Sequence, residues 1–178
     1  MHSRYVIFDR DGTLIEKVHH LVDANLVKIK SDASCALLTL QNLGFRFGII
    51  SNQSVIGRGL ATQLDVDKIN KVIERELAKN QVFFDFIYIC PHLPSALCLC
   101  RKPSTELGFQ AQKNFGIMLN RSYMVGDEAT DIIFGNKLGM FTVQIVSSVE
   151  ACELADHHSL SLQEAAEWII KREEQEAV

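Results

Sequence analysis

The chain has 178 residues, 47% of them hydrophobic, and a net charge of −4. This length suits one hydrophobic core, so we expect a single domain over residues 1–178. Because acidic residues outnumber basic ones, the chain has no broad positive surface, which argues against nucleic-acid binding. No apolar run approaches the roughly 18 residues of a membrane span, and charges interrupt the N-terminus too early for a signal peptide. A cytoplasmic protein is therefore expected.

Five short segments, rich in β-branched or aromatic residues, predict β-strands. In chain order they are 5–8 (YVIF), 45–50 (FRFGII), 84–89 (FDFIYI), 122–125 (SYMV) and 141–146 (FTVQIV). Longer amphipathic segments, most of which end in a glycine, lie between them and predict helices. This alternation predicts an α/β chain with a three-layer, Rossmann-like fold, in which helices cover both faces of a central parallel sheet. The intervening gaps are too short for a large cap domain.

Polar motifs follow three of the predicted strands. DRDGT (9–13) follows the first strand, SNQ (51–53) the second and GDEATD (126–131) the fourth. The carboxyl ends of parallel strands meet at one edge of a sheet, where ligands bind in such folds. An Asp-x-Asp-Gly turn alone is a common solvent-exposed loop, but three polar motifs at one edge indicate a functional site.

The spacing within the first motif has a chemical interpretation. Asp9 and Asp11 are two residues apart and therefore face one pocket, while Arg10 points elsewhere and Gly12 allows a sharp turn. Two carboxylates repel each other unless a hard cation such as Mg²⁺ lies between them, and Asp127 can supply a further ligand. One carboxylate could then attack phosphorus to give an aspartyl-phosphate. The other would protonate the leaving oxygen and later deprotonate the hydrolytic water.

A loop at 90–100 contains a second set of metal ligands. Three cysteines and a histidine lie within eleven residues: Cys90, His92, Cys98 and Cys100. Three thiolates and an imidazole suit a closed, structural zinc site with no open position for catalysis. The alternative is a group of reduced, buried cysteines beside a surface histidine. Arg101 and Lys102 follow directly, and zinc would hold both cations at a fixed angle toward a bound phosphate.

Four short motifs resemble, in their order along the chain, the four motifs of the haloacid dehalogenase superfamily of phosphohydrolases. They are DRDGT, SNQ, the lysine of RKP (101–103) and GDEATD. The resemblance spans residues 5 to about 145. It implies that Asp9 is the nucleophile, that Asp11 is the general acid and base and gives Mg²⁺ its backbone carbonyl, and that Asp127 is a Mg²⁺ ligand. Asp131, four residues after Asp127, is expected to support the site by holding other site residues in place, without binding Mg²⁺ itself. The resemblance also implies a set of phosphate-binding residues: Ser51, Asn52, Gln53 and Lys102.

The Cys/His loop narrows the resemblance to the branch of heptose-bisphosphate and histidinol-phosphate phosphatases. NQSVIGRG (52–59) is similar to the heptose enzymes' NQSGIARG. A heptose bisphosphate is the expected substrate, because Arg58 and Arg101 could meet its second anionic group. Histidinol phosphate, which carries a cationic amine at its far end, is the alternative. His19 and His20, near the mouth of the expected site, are either substrate contacts or polar loop residues.

Together these observations predict a Mg²⁺-dependent phosphatase with structural Zn²⁺, acting as a monomer on a small phosphorylated metabolite without nucleic-acid or membrane partners. Two other classes of protein remain open. A zinc-stabilised, non-catalytic binding module would account for the Cys/His loop, although it would not need three aspartates at strand ends. A phosphotransferase or mutase would use the same aspartyl-phosphate with an alcohol as acceptor.

Overall fold

The computed structural model describes residues 3–146 and 151–176. Its strands are β1 (Tyr5–Phe8), β2 (Arg46–Asn52), β3 (Phe86–Cys90), β4 (Tyr123–Gly126), β5 (Phe141–Ile145) and β6 (His157–Ser159). They form one parallel sheet in the order β3-β2-β1-β4-β5-β6. The predicted α/β fold with a central parallel sheet is therefore confirmed.

Within the described residues, six α-helices connect and flank these strands. They are α1 (Ala33–Asn42), α2 (Ser54–Gly57), α3 (Gln63–Ala78), α4 (Glu106–Phe115), α5 (Ala129–Lys137) and α6 (Leu162–Glu176). Within residues 3–146 and 151–176, no separate cap domain covers the sheet edge, as predicted. None of the described helices combines the length and the apolar character needed to cross a membrane.

The core lies in two layers, one on each face of the sheet. Val6 and Phe8 of β1 belong to one layer, and Tyr5 and Ile7 belong to the other. Helices α1, α3 and α6 cover the first face, whereas α4 and α5 cover the second. Because β1 is buried on both faces, its sequence is a continuous apolar run rather than an alternating one.

Strand β6 is not among the five strands predicted from sequence. It contains only His157, His158 and Ser159, and it pairs with β5 at the edge of the sheet. The His157 ring stacks on Trp168 of α6, with centroids 4.9 Å apart and ring planes 2° apart. Its apolar contact thus comes from the helix that follows, and three polar residues carry no periodic signal that would predict a strand.

The strand order brings the three polar motifs side by side. Strand β1 lies between β2 and β4, so the residues that follow these three strands share one edge of the sheet. The chain leaves β1 toward β2 on one side and later returns to β4 on the other. A crevice opens where the strand order reverses in this way, and it is the usual ligand site of an open parallel sheet.

Candidate active site

A cavity of about 290 Å³ lies at the carboxyl ends of β1, β2 and β4. We call it the carboxylate cavity. It is lined by Asp9, Asp11, Lys17, Ser51, Asn52, Arg101, Lys102, Asp127, Glu128, Thr130 and Asp131. Most residues predicted to bind phosphate or metal at this edge are thus brought together, although they come from four separate segments of the chain.

Lys102 is the buried cation of this cavity, with 2% of its surface exposed. Its Nζ donates to Asp9 Oδ1 at 2.7 Å, lies 2.7 Å from Asp131 Oδ1 and also donates to the Ile50 carbonyl. Burial lowers the pKa of Lys102, but the charges of Asp131 and Asp9 outweigh that effect and raise it. The ammonium is therefore charged at neutral pH and fixed against the predicted nucleophile.

Asp9, Asp127 and Asp131 form a group of buried carboxylates, each with an oxygen within 4.8 Å of the others. Asp127 Oδ2 accepts a hydrogen bond from Lys17 at 2.8 Å, whereas its buried Oδ1 has no hydrogen-bond partner among the described residues. Burial raises the pKa of Asp127. A buried carboxylate oxygen without a donor, beside two further carboxylates, fits a hard divalent cation such as Mg²⁺.

Gly12 is required for the close approach of the first motif to Asp127. A Cβ atom at position 12 would lie 2.3 Å from Asp127 Oδ2, well inside van der Waals contact. The backbone there also has φ of +83°, in the left-handed region that side chains other than glycine rarely adopt. The glycine of DRDGT thus lets the loop lie directly against the carboxylate group.

The carboxylate of Asp11 is held by a buried network. The guanidinium of Arg10, which is fully buried, donates to Asp11 Oδ2 at 3.0 Å, to Gln53 Oε1 at 2.7 Å and to Asn70 Oδ1 at 3.1 Å. Gln53 Nε2 donates to Asp11 Oδ2 at 2.7 Å and to Ser51 Oγ at 2.9 Å. Arg10 was expected to point elsewhere, but a buried guanidinium needs acceptors and finds them here.

Asn52 joins the second motif to the loop that carries Lys102. Its Nδ2 donates to the Lys102 carbonyl at 3.1 Å, and its Oδ1 accepts from the Lys102 N–H at 3.0 Å. Arg101, which also lines the carboxylate cavity, donates to the His92 carbonyl at 3.3 Å. Asn52, one of the predicted phosphate-binding residues, thus also fixes the backbone of another, Lys102.

The four predicted zinc ligands converge in the structure. The Sγ atoms of Cys90, Cys98 and Cys100 lie 3.2–3.5 Å apart, and His92 Nδ1 lies 3.2 Å from Cys100 Sγ and 3.6 Å from Cys90 Sγ. A tetrahedral zinc site with Zn–S distances of ~2.3 Å has ligand separations of roughly 3.8 Å. The cysteines form no disulfides. Both the donor set and its spacing therefore fit a closed zinc site.

The thiols of this cluster differ in acidity. Burial raises the pKa of Cys90, and burial together with the neighbouring thiols raises that of Cys100 to about 12. Burial acts in the same direction on Cys98, but hydrogen bonds from Cys90 and Cys100 lower its pKa to about 7. Three crowded thiolates would repel one another, so a bound divalent cation is what allows all of them to ionise.

Lys17 is a site residue that the sequence did not predict. Its Nζ contacts Asp127 Oδ2 at 2.8 Å and also contacts the Glu128 carboxylate. Partial burial lowers the pKa of Lys17, but the hydrogen bonds to Asp127 and Glu128 raise it by more. Position 17 lies in an irregular loop after the first motif, and neither periodicity nor a motif distinguishes it from an ordinary surface lysine.

A second cavity, of about 450 Å³, adjoins the first. We call it the histidine cavity, because His19 and His20 line it together with Arg10, Asp11, Lys17, Val18, Leu21, Asn52, Gln53, Ser54 and Val55. It shares Asp11, Lys17 and Asn52 with the carboxylate cavity. Arg58, at the C-terminal end of α2, is exposed and is not part of the lining of either cavity as described.

Comparisons with known proteins identify the family of this chain. A family model for HAD-hydrolase-like proteins matches residues 99–169. The histidine biosynthesis bifunctional protein HisB of Legionella pneumophila is 37% identical over 140 residues, which are 78% of this chain and 40% of that protein. The D-glycero-β-D-manno-heptose-1,7-bisphosphate 7-phosphatase of Helicobacter pylori is 34% identical over 140 residues, 75% of this chain and 77% of that enzyme.

Solved structures share the fold. The crystal structure of D,D-heptose 1,7-bisphosphate phosphatase from B. bronchiseptica, complexed with magnesium and phosphate, has a TM-score of 0.85 and 22% sequence identity. The alignment covers 95% of this chain and 99% of that one.

The chain belongs to the haloacid dehalogenase superfamily of phosphatases, as its four motifs indicated. Within the superfamily it is of the type that includes the heptose-bisphosphate phosphatases and HisB. It spans about 40% of the length of the HisB proteins and about three quarters of the length of the Helicobacter enzyme.

Proposed function

We propose that this protein is a Mg²⁺-dependent phosphomonoester hydrolase that works through an aspartyl-phosphate on Asp9. The observation that carries the proposal is the contact of Asp9 with the buried Lys102 ammonium, 2.7 Å away, beside the carboxylates of Asp127 and Asp131. A nucleophile in this position is paired with a cation that would also neutralise a transferring phosphoryl group. A non-catalytic zinc module would gain nothing from burying these charges.

The proposed reaction has two steps. A carboxylate oxygen of Asp9 attacks the substrate phosphorus, the bond from phosphorus to the alcohol oxygen breaks, and Asp11 donates a proton to the departing alkoxide. Water then attacks the phosphorus of the aspartyl-phosphate while Asp11 takes back a proton, which releases phosphate and restores the Asp9 carboxylate. Lys102 stabilises negative charge on the phosphoryl oxygens in both steps.

We also propose binding sites for two metal ions. Asp9, Asp127 and the backbone carbonyl of Asp11 would hold Mg²⁺, which neutralises the carboxylates and the phosphoryl group when bound. Zinc would be held by the four ligands of the 90–100 loop and would have a structural role. The Arg101–His92 contact is consistent with that role, because it connects the ligand loop to the cations that follow it.

For the substrate, we propose a sugar bisphosphate, specifically D-glycero-D-manno-heptose 1,7-bisphosphate. The name and identity of the Helicobacter relative support this class, since 77% of that enzyme aligns with the chain. Arg101 in the carboxylate cavity and Arg58 on the nearby α2 end are cations available to a second phosphate. Histidinol phosphate is the second candidate, and the 37% identity to HisB favours it.

The test compares kcat/KM for heptose 1,7-bisphosphate, histidinol phosphate and a small monophosphate, with and without Mg²⁺. We expect Mg²⁺-dependent release of phosphate with the bisphosphate preferred, and an Arg58→Ala variant that loses about tenfold on the bisphosphate alone. A preference of the parent protein for histidinol phosphate would replace the proposed substrate. No phosphatase activity on any of the three substrates, with Mg²⁺ present, would overturn the hydrolase proposal itself.

A further inference from the structure

Gln144 on β5 is a buried polar side chain that the proposed catalytic steps do not use. It is fully buried, and its strand neighbours Val143 and Ile145 are core residues. Its Nε2 donates to the backbone carbonyl of Asp127 at 3.1 Å, and its Oε1 accepts from the Cys152 N–H at 2.7 Å. Burial of an amide is costly unless its polar atoms are hydrogen-bonded, so these bonds are what makes a glutamine tolerable in an apolar strand.

The bond to Asp127 holds one side of a peptide unit whose other side is held as well. Strand β4 ends at Gly126, which lies opposite Gln144 in the β4–β5 register, and Asp127 is the next residue. The N–H of Glu128, in the same peptide unit as the Asp127 carbonyl, donates to Asp131 Oδ2 at 3.1 Å. A peptide unit is planar, so hydrogen bonds at both its carbonyl and its N–H oppose its rotation.

The direction of the Asp127 side chain depends on this peptide unit, because side-chain conformation follows the backbone. Oδ1 of Asp127 is buried without a hydrogen-bond partner among the described residues, and Oδ2 accepts from Lys17. Asp127 is a proposed ligand of Mg²⁺, an ion that demands near-ideal octahedral geometry. Rotation of the backbone here would carry Oδ1 away from the neighbouring carboxylates of Asp9 and Asp131.

The orientation of the Gln144 amide is itself fixed. Because its Oε1 accepts from the Cys152 N–H, the amide presents Nε2, and not Oε1, to the Asp127 carbonyl. Cys152 belongs to a segment that is tied to β5 at a second point, where Asp156 Oδ2 accepts from both the N–H and the Oγ1 of Thr142. The glutamine is therefore oriented by a segment outside the linings of both cavities.

From this geometry we infer that Gln144 is a positioning residue, which fixes the main chain at Asp127 and thereby the carboxylate that would bind Mg²⁺. The inference rests on the proposed hydrolase function, because it concerns a metal ligand of that same site. Residues that hold ligands in place affect metal affinity although they touch neither the metal nor the substrate. Without a donor at position 144, the Asp127–Glu128 peptide unit loses its bond on the carbonyl side, and the metal has to order what the glutamine now orders.

The experiment measures the Kd of Mg²⁺ by titration calorimetry on the protein without substrate. Gln144→Met fills a similar volume but has no donor, and we expect it to raise this Kd about tenfold. High Mg²⁺ should restore kcat, which a folding defect would not allow. Thr142→Val is the matched control. Thr142 is buried on the same strand and bonded to the same segment as Gln144, so its loss should lower the melting temperature but leave the Kd unchanged.

A measurement on the parent protein needs no substitution. The side-chain N–H signals of Gln144 in an NMR spectrum should shift when Mg²⁺ is added, because their acceptor belongs to a metal ligand. Those of Gln163, which donate to Glu167 on α6, should not. An unchanged Kd in Gln144→Met, an equal increase in Thr142→Val, or Gln144 signals unaffected by Mg²⁺ binding would overturn the positioning role. Failure of Mg²⁺ to bind the parent protein would instead overturn the proposed metal site, on which the inference rests.

Discussion

The carboxylate cavity and the histidine cavity adjoin each other but are built in opposite ways. Asp9, Lys102, Asp127 and Asp131 are buried, and each contacts at least one charged partner. His19 and His20, which line only the histidine cavity, are exposed and come from an irregular loop. We therefore expect the chemistry to depend on the buried residues, whereas the exposed loop can vary without disturbing the sheet.

This division predicts two patterns of mutational effect. Substitutions in the carboxylate cavity should lower turnover of every phosphorylated substrate by similar factors. Substitutions of His19 and His20, which line only the histidine cavity, should change the ratio between substrates instead.

The largest effect is expected from Asp9→Asn. The amide keeps the shape of the side chain but cannot attack phosphorus, so kcat should fall by at least about 10³-fold on bisphosphate and monophosphate alike. Steady-state kinetics and circular dichroism measure activity and folding. Asp67→Asn, on α3 and outside the linings of both cavities, is the control and should retain full activity. A folded Asp9→Asn protein with near-normal turnover would contradict the assignment of the chemistry to the carboxylate cavity.

A smaller effect, on both stability and KM, is expected from Cys98→Ser. Loss of one thiolate should release zinc, lower the melting temperature by about 5 °C or more, and raise KM for every substrate, since Arg101 and Lys102 follow the ligand loop directly. Elemental analysis, thermal melts and kinetics measure the three consequences. Cys35→Ser, at an exposed position of α1, should change none of them. Purified parent protein without zinc would rule out the zinc assignment.

The smallest effect is expected from Asn70→Ala on α3, which removes an acceptor from buried Arg10 and so loosens the group that holds Asp11. We expect kcat to fall about tenfold for substrates with poor leaving groups and much less for those with good ones, because only the former depend on proton donation by Asp11. Lys71→Ala, exposed on the same helix, is the control. Equal losses across leaving groups would indicate a purely structural role for Asn70.

The elements predicted from sequence are those with strong local signals. The strands β1, β2, β4 and β5 are apolar runs, and three of them end in motifs whose convergence follows from parallel-strand geometry. The zinc ligands lie within eleven residues, so they needed no tertiary information to be grouped. For this reason, both the fold class and most residues of the carboxylate cavity could be predicted from the sequence.

The elements missed are those that depend on distant partners. Arg10 is buried because Asn70, sixty residues away, and Gln53 accept its hydrogen bonds. Lys17 contacts Asp127 across 110 residues, and its loop has no periodicity. No local pattern distinguishes such an arginine or lysine from solvated surface residues, so only the three-dimensional structure identifies them.

The central claim, an aspartyl-phosphate on Asp9, is tested most directly by acid-quenching the enzyme during its first turnover with phosphate-labelled substrate. Asp11→Asn should slow hydrolysis of the intermediate and let it accumulate. The account predicts label bound to the peptide that contains Asp9, removable by hydroxylamine and absent from Asp9→Asn. Turnover by the Asp11→Asn protein without any protein-bound label, or label that persists in Asp9→Asn, would contradict it.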